Sequence, residues 1–102
     1  MIVVENLRFS KPTFDYDFKI DRSSPLGNPF YMDSEVYRSK VCDDYENYFA
    51  EMMLNNHSMI AEVDKMKEAL KKHGQLRLFC WCAPKRCHGE TIVRYLEENT
   101  DA

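Results

Sequence analysis

The chain has 102 residues, 44% of them hydrophobic and 13% aromatic, with a formal net charge of −3. That length fits a single domain over residues 1–102, and that composition packs a core instead of staying disordered. The negative balance excludes general nucleic-acid binding through a basic surface, and no apolar run is long enough to span a membrane.

The opening MIVVENLRF carries no basic n-region and no small-residue cleavage site, so it does not read as a signal peptide. The expected location is therefore the cytoplasm, where the four cysteines are thiols, metal ligands or redox-active groups instead of structural disulfides. IVVENL, residues 2–7, predicts a short strand. DYDFKID, residues 15–21, predicts a second, with Tyr16, Phe18 and Ile20 on one face and Asp17 and Lys19 on the other. RSSPLGNPF, residues 22–30, is an ordered loop, in which Gly27 is expected to supply the positive φ of a tight turn.

A helix is expected from Asp33 or Ser34 to about Leu54, with Tyr37, Val41, Tyr45, Tyr48, Phe49, Met52 and Met53 at three- and four-residue spacing. The tyrosines read as core and boundary residues, and Cys42 as packed. Asn55-Asn56 breaks that helix. A second starts at Ser58 with Met59, Ile60, Val63, Met66 and Leu70 on one stripe, and Gly74 closes it. LRLFCW, residues 76–81, is the strongest strand, apolar on both faces, which suits an interior strand covered on both sides. A last helix follows from about Gly89, with Ile92, Val93 and Leu96 inward. The order ββααβα predicts an α/β fold with a small sheet of about three strands flanked by helices in Rossmann-like layering.

CWCAPKRCHGE, residues 80–90, joins the last strand to the last helix and places Cys80, Cys82, Cys87 and His88 together. A helix N-terminus attracts anions and lowers the pKa of a nearby thiol, and Lys85 and Arg86 add positive charge. Cys87 is therefore the expected reactive thiolate, with Cys82 second, and Glu90 is placed to orient His88. Cys80 reads either as a site thiol or as a small buried hydrophobe. A metal site built from Cys80, Cys82, Cys87 and His88 is the alternative. Zinc is disfavoured there, because structural zinc knuckles place two residues between paired cysteines and here there is one, or none. A purely structural turn is the third reading.

SSPLGNPF followed by CWCAPKRCHGE resembles a small family, domain of unknown function 4326, found in bacteriophages and bacteria. Arg22, Ser24, Pro25, Leu26, Gly27, Asn28, Pro29 and Phe30 match its first segment. Cys80, Trp81, Cys82, Pro84, Cys87, His88 and Gly89 match its second, with Glu90 in place of an aspartate. The loop also looks distantly like domain of unknown function 488. The resemblance implies an α/β fold and a phage origin, hence a host-cytoplasm setting, but names no reaction. It also pairs the two loops across one pocket, with Cys87, His88 and Cys82 as catalytic candidates. Arg22, Ser24, Gly27, Asn28, Lys85, Arg86, Gly89 and Glu90 would then contact a small anionic, nucleotide-like ligand, and Tyr31 and Trp81 would cover its ring. The competing function is a non-catalytic module that docks a host protein.

Overall fold

The run Leu76–Cys80 (β3) becomes the middle strand of a three-stranded parallel sheet in the order β1-β3-β2, where β1 is Ile2–Asn6 and β2 is Asp17–Lys19. The helices are α1 (Arg38–Asn55), α2 (His57–His73) and α3 (Gly89–Asn99), making a mixed α/β fold. The structure, a computed structural model, describes residues 1–83 and 85–99. Pro84, part of the second motif, lies outside the described residues.

Leu76, Leu78 and Cys80 alternate along β3 and are buried in one cluster with Tyr45 and Phe49 of α1, Val63 and Met66 of α2, and Ile92 and Leu96 of α3. A period of two on the strand thus meets a period of 3.6 on each helix. Phe79, on the other face of β3, is buried outside that cluster. Its cover includes Arg77, whose guanidinium lies 5.1 Å from the Phe79 ring and 5.4 Å from that of Phe14. Arg77 is held there by a bidentate pair with Asp17, Nε to Oδ1 and Nη2 to Oδ2, both 2.8 Å. Asp17 is the register partner of Arg77 across the β2–β3 ladder.

Several boundaries differ from the sequence expectation. The second strand is shorter than residues 15–21, because the Asp17 carboxylate accepts the amides of Thr13 and Phe14 and curls the chain before it. The helix expected from Asp33 or Ser34 opens as a 3-10 turn over Glu35–Tyr37; Ser34 makes no side-chain cap, and α1 begins at Arg38. Asn56 does more than break the helix: its side chain accepts the Met59 amide at 3.0 Å and caps α2. Gly74 closes α2 in the left-handed conformation, φ 68°.

Gly27 is a different correction. Its φ is not positive. Glycine is required by proximity instead, since a Cβ there would lie 2.5 Å from the Asp21 carbonyl oxygen and 2.6 Å from the Arg22 Cα. Both obstacles are backbone and cannot swing away. Gly27→Ala is therefore expected to destabilise the fold by about 3 kcal/mol, measured as a drop in the urea midpoint.

Asp17 gives a second test. Burial raises its pKa, but the Arg77 hydrogen bonds and the Thr13 and Phe14 amides outweigh it and hold the group at about 2, below its usual 3.8. The ionised form is favoured in the folded state, so its stabilisation is present above 3.8 and lost as pH falls toward 2. Denaturation midpoints should decline through that window, and less steeply in Asp17→Asn.

Candidate functional site

Because the sheet is parallel, all three strands end at one edge, the edge at which α/β folds place ligands. The Leu7 amide donates to the Cys80 carbonyl at 2.7 Å, and the Ile20 amide to the Phe79 carbonyl at 2.9 Å. The loops after β2 and β3 therefore start side by side. Between them lies a cavity of about 490 Å³. Arg22, Asn28 and Tyr31 line it from the first loop, Cys82, Arg86 and Cys87 from the second, and Arg38 and Cys42 from α1.

The first loop is built by short-range bonds. Asp21 Oδ1 accepts the Ser23 amide at 3.1 Å and also the Ser23 hydroxyl. Ser24 Oγ accepts the Leu26 amide, and Asn28 Oδ1 the Phe30 amide. Arg22 folds back onto the carbonyls of Asn28 (Nε, 3.1 Å) and Phe30 (Nη2, 3.2 Å), with its guanidinium 4.3 Å from the Tyr31 ring centre. Tyr45 ties the loop to α1: its buried hydroxyl donates to the Leu26 carbonyl at 2.8 Å.

The second loop is held by groups far away in sequence. Asn6 Nδ2 donates to the carbonyls of Ala83 (2.8 Å) and Trp81 (3.3 Å). Arg38 Nη1 donates to the Arg86 carbonyl at 2.9 Å, while its Nε and Nη2 grip Glu35. Arg86 reaches back to the Ser39 carbonyl and to Asp43. Trp81, the last residue of the expected strand 76–81, lies just beyond β3, which ends at Cys80. It is 62% exposed, and its indole N–H donates to Asp21 Oδ2 at 3.1 Å, which links the two loops.

All four cysteines of the chain line this cavity. Cys80 and Cys87 are buried, with their sulfurs 3.5 Å apart. Of the two sulfurs, the surroundings favour the anion on Cys80. The Cys87 thiol hydrogen-bonds to Cys80 and lowers its pKa to about 6, against the opposing effect of burial, and the amides of Cys82 and Ala83 and the charge of Arg38 help. Cys87 moves the other way: the Cys80 thiolate keeps the proton on it, burial adds to this, and the Gly89 amide, 3.3 Å from its Sγ, opposes only in part. Burial also raises the Cys42 thiol. Arg38 is turned toward Cys82, and its hydrogen bonds to Glu35 and then to Cys82 raise its own pKa.

His88 is buried, and its Nε2 meets the Ile20 carbonyl oxygen. Burial lowers its pKa, so the ring is neutral and donates through Nε2–H. It packs 4.9 Å from the Tyr45 ring and pins the end of β2 to the start of α3. Glu90 does not orient it: the carboxylate faces Arg86 Nε at 3.4 Å. Lys85 is exposed and pairs with Glu35 at 3.6 Å. Gly89 lies in the packing, where a Cβ would meet Ile20 at 3.0 Å. Ser24, Gly27, Lys85, Gly89 and Glu90 thus stand outside the cavity wall, whereas Cys82, Cys87, His88, Arg22, Asn28 and Arg86 form part of it. Among the described residues, no three His, Cys, Asp or Glu side chains converge where a metal ion would sit.

Sequence reasoning missed Arg38, Asn6 and Asp21. Arg38 sits on a helix face with no local pattern to mark it. Asn6 is a lone amide ending an apolar strand, which is the one signal it offered.

The fold and site define a class, a mixed α/β domain with a thiol- and arginine-lined cavity at the carboxyl end of a parallel sheet. The chain belongs to the family Domain of unknown function (DUF4326), whose model matches residues 6–98. No curated protein and no solved structure matches it. Among the described residues no helix is long and apolar enough to cross a membrane.

Thiolate absorbance in the ultraviolet should titrate with a midpoint near pH 6 and disappear in Cys80→Ser. In Cys87→Ala the midpoint should rise, because the donor that stabilises the Cys80 anion is gone.

Proposed function

We propose that this chain is a small enzyme or ligand-binding domain whose cavity takes a compact anion carrying a flat ring, such as a nucleotide. One observation carries the reading: Arg22, Arg38 and Arg86 line the same cavity as Tyr31 and Trp81. The guanidinium charges attract phosphate and carboxylate, and flat rings stack on exposed aromatics. Tyr31 is 78% exposed and Trp81 62%; Arg22 covers one face of the Tyr31 ring, which leaves its other face and the indole for an incoming base. The cavity volume of about 490 Å³ lies within the usual range for small-molecule sites. Arg22 and Arg38 are already anchored on carbonyls or carboxylates, which reduces the ordering cost of binding.

In the enzymatic form of this reading the nucleophile is Cys80, with Cys82 beside it at the cavity wall, and Cys87 and His88 are positioning residues. Rossmann-like folds bind their ligands off the carboxyl ends of parallel strands, which supports placing the ligand here. A second reading, a module that binds without turnover, rests on the same exposed rings and needs no thiol.

Calorimetric titration with ADP, adenosine and inorganic pyrophosphate tests the pocket. ADP should bind more tightly than either fragment, and Arg22→Ala and Trp81→Ala should each weaken it about tenfold. Absence of saturable binding by all three probes would sink the nucleotide reading.

A further inference from the structure

The Cys80 and Cys87 sulfurs are buried 3.5 Å apart. A cysteine used only as a small hydrophobe packs against carbon. Here the Gly89 amide donates to Cys87 Sγ, and the second thiol rests on the first. Both sulfurs line the cavity, with Cys80 1% and Cys87 5% exposed, so contact with a molecule held by Arg22 and Arg38 requires the turn around them to shift. The geometry is nearly that of a bond: closing the gap to about 2 Å needs a shift on the order of 1.5 Å. Cys80 ends a strand and Cys87 lies in the loop before α3, so one member sits on the sheet and the other on a segment free of ladder hydrogen bonds.

We propose that Cys80 and Cys87 are a thiol–disulfide exchange couple, acting on a small disulfide that carries carboxylate groups. The Cys80 thiolate attacks one sulfur of the substrate disulfide, forming a mixed disulfide and expelling one substrate thiolate. Cys87 then attacks the Cys80 sulfur and expels the second half of the substrate, which takes the Cys87 proton. Two electrons pass from the protein to the substrate; one disulfide is broken and one is made. The arginines of the cavity supply the charge that receives the carboxylates. Cys82, less buried than Cys80 and Cys87, is not part of the couple. The inference shares the cavity with the nucleotide reading but does not depend on it.

Oxidised glutathione, a carboxylate-bearing disulfide, is the probe. Purified protein is incubated with it, quenched with an alkylating agent, denatured and digested, and the thiols are counted by mass spectrometry. The wild type should lose two of its four thiols and yield a peptide pair joined through Cys80 and Cys87, and Cys82→Ser should do the same. Cys87→Ser should stop at the mixed disulfide, with the glutathione adduct on Cys80. A wild type that keeps all its thiols, or a cross-link or adduct through Cys82 or Cys42, overturns the assignment. The wild-type result stands even where a variant fails to fold. Loss of ADP binding without loss of the cross-link would discard the nucleotide reading alone.

Discussion

The placement of β3 between β1 and β2 is the constraint on which the rest of the structure depends. Two strands from the first fifth of the chain leave a gap between them, and a strand from the last third fills it. The backbone of β3 then holds both neighbours at its carboxyl end, through the Cys80 and Phe79 carbonyls. That single insertion brings the proline–glycine loop and the cysteine loop to one edge. It also brings Cys80, which ends the central strand, into the lining of the cavity.

Around that edge the side chains brace the backbone. Asn6, Tyr45, His88 and Arg38 each use polar atoms to hold main-chain carbonyls. Such bonds fix loops that carry little regular structure, and they leave the cavity shaped before anything enters it. The charges are arranged with the same economy. Each arginine of the cavity has an acid, a carbonyl or both as partner, so the positive field is held in place without an unpaired buried ion.

The fold was largely legible in the sequence because it is written in periodicity. Leu76, Leu78 and Cys80 alternate, Met59, Val63, Met66 and Leu70 fall on one stripe, and Ile92 and Leu96 share a face; all are buried. The site was legible in its members but less so in their roles. Cysteine and histidine in one short loop marked the location. Which sulfur carries the charge depends on a 3.5 Å contact and on amides brought in by the turn after β3, and no spacing rule contains either. His88 stood among the catalytic candidates; in the structure its ring is buried and meets the Ile20 carbonyl. Gly27 looked like a turn glycine of positive φ, and what selects it is the crowding of Asp21 and Arg22. Long-range facts of this kind arise only once the sheet has closed.

The position of Trp81 has an optical consequence. It is the only tryptophan in the chain, it stands at the cavity wall, and its indole N–H rests on the Asp21 carboxylate. Its emission therefore reports on the polarity of that wall and on the join between the two loops. The molecule carries an intrinsic fluorescent gauge at the place where an occupant would arrive, and no label has to be attached to read it.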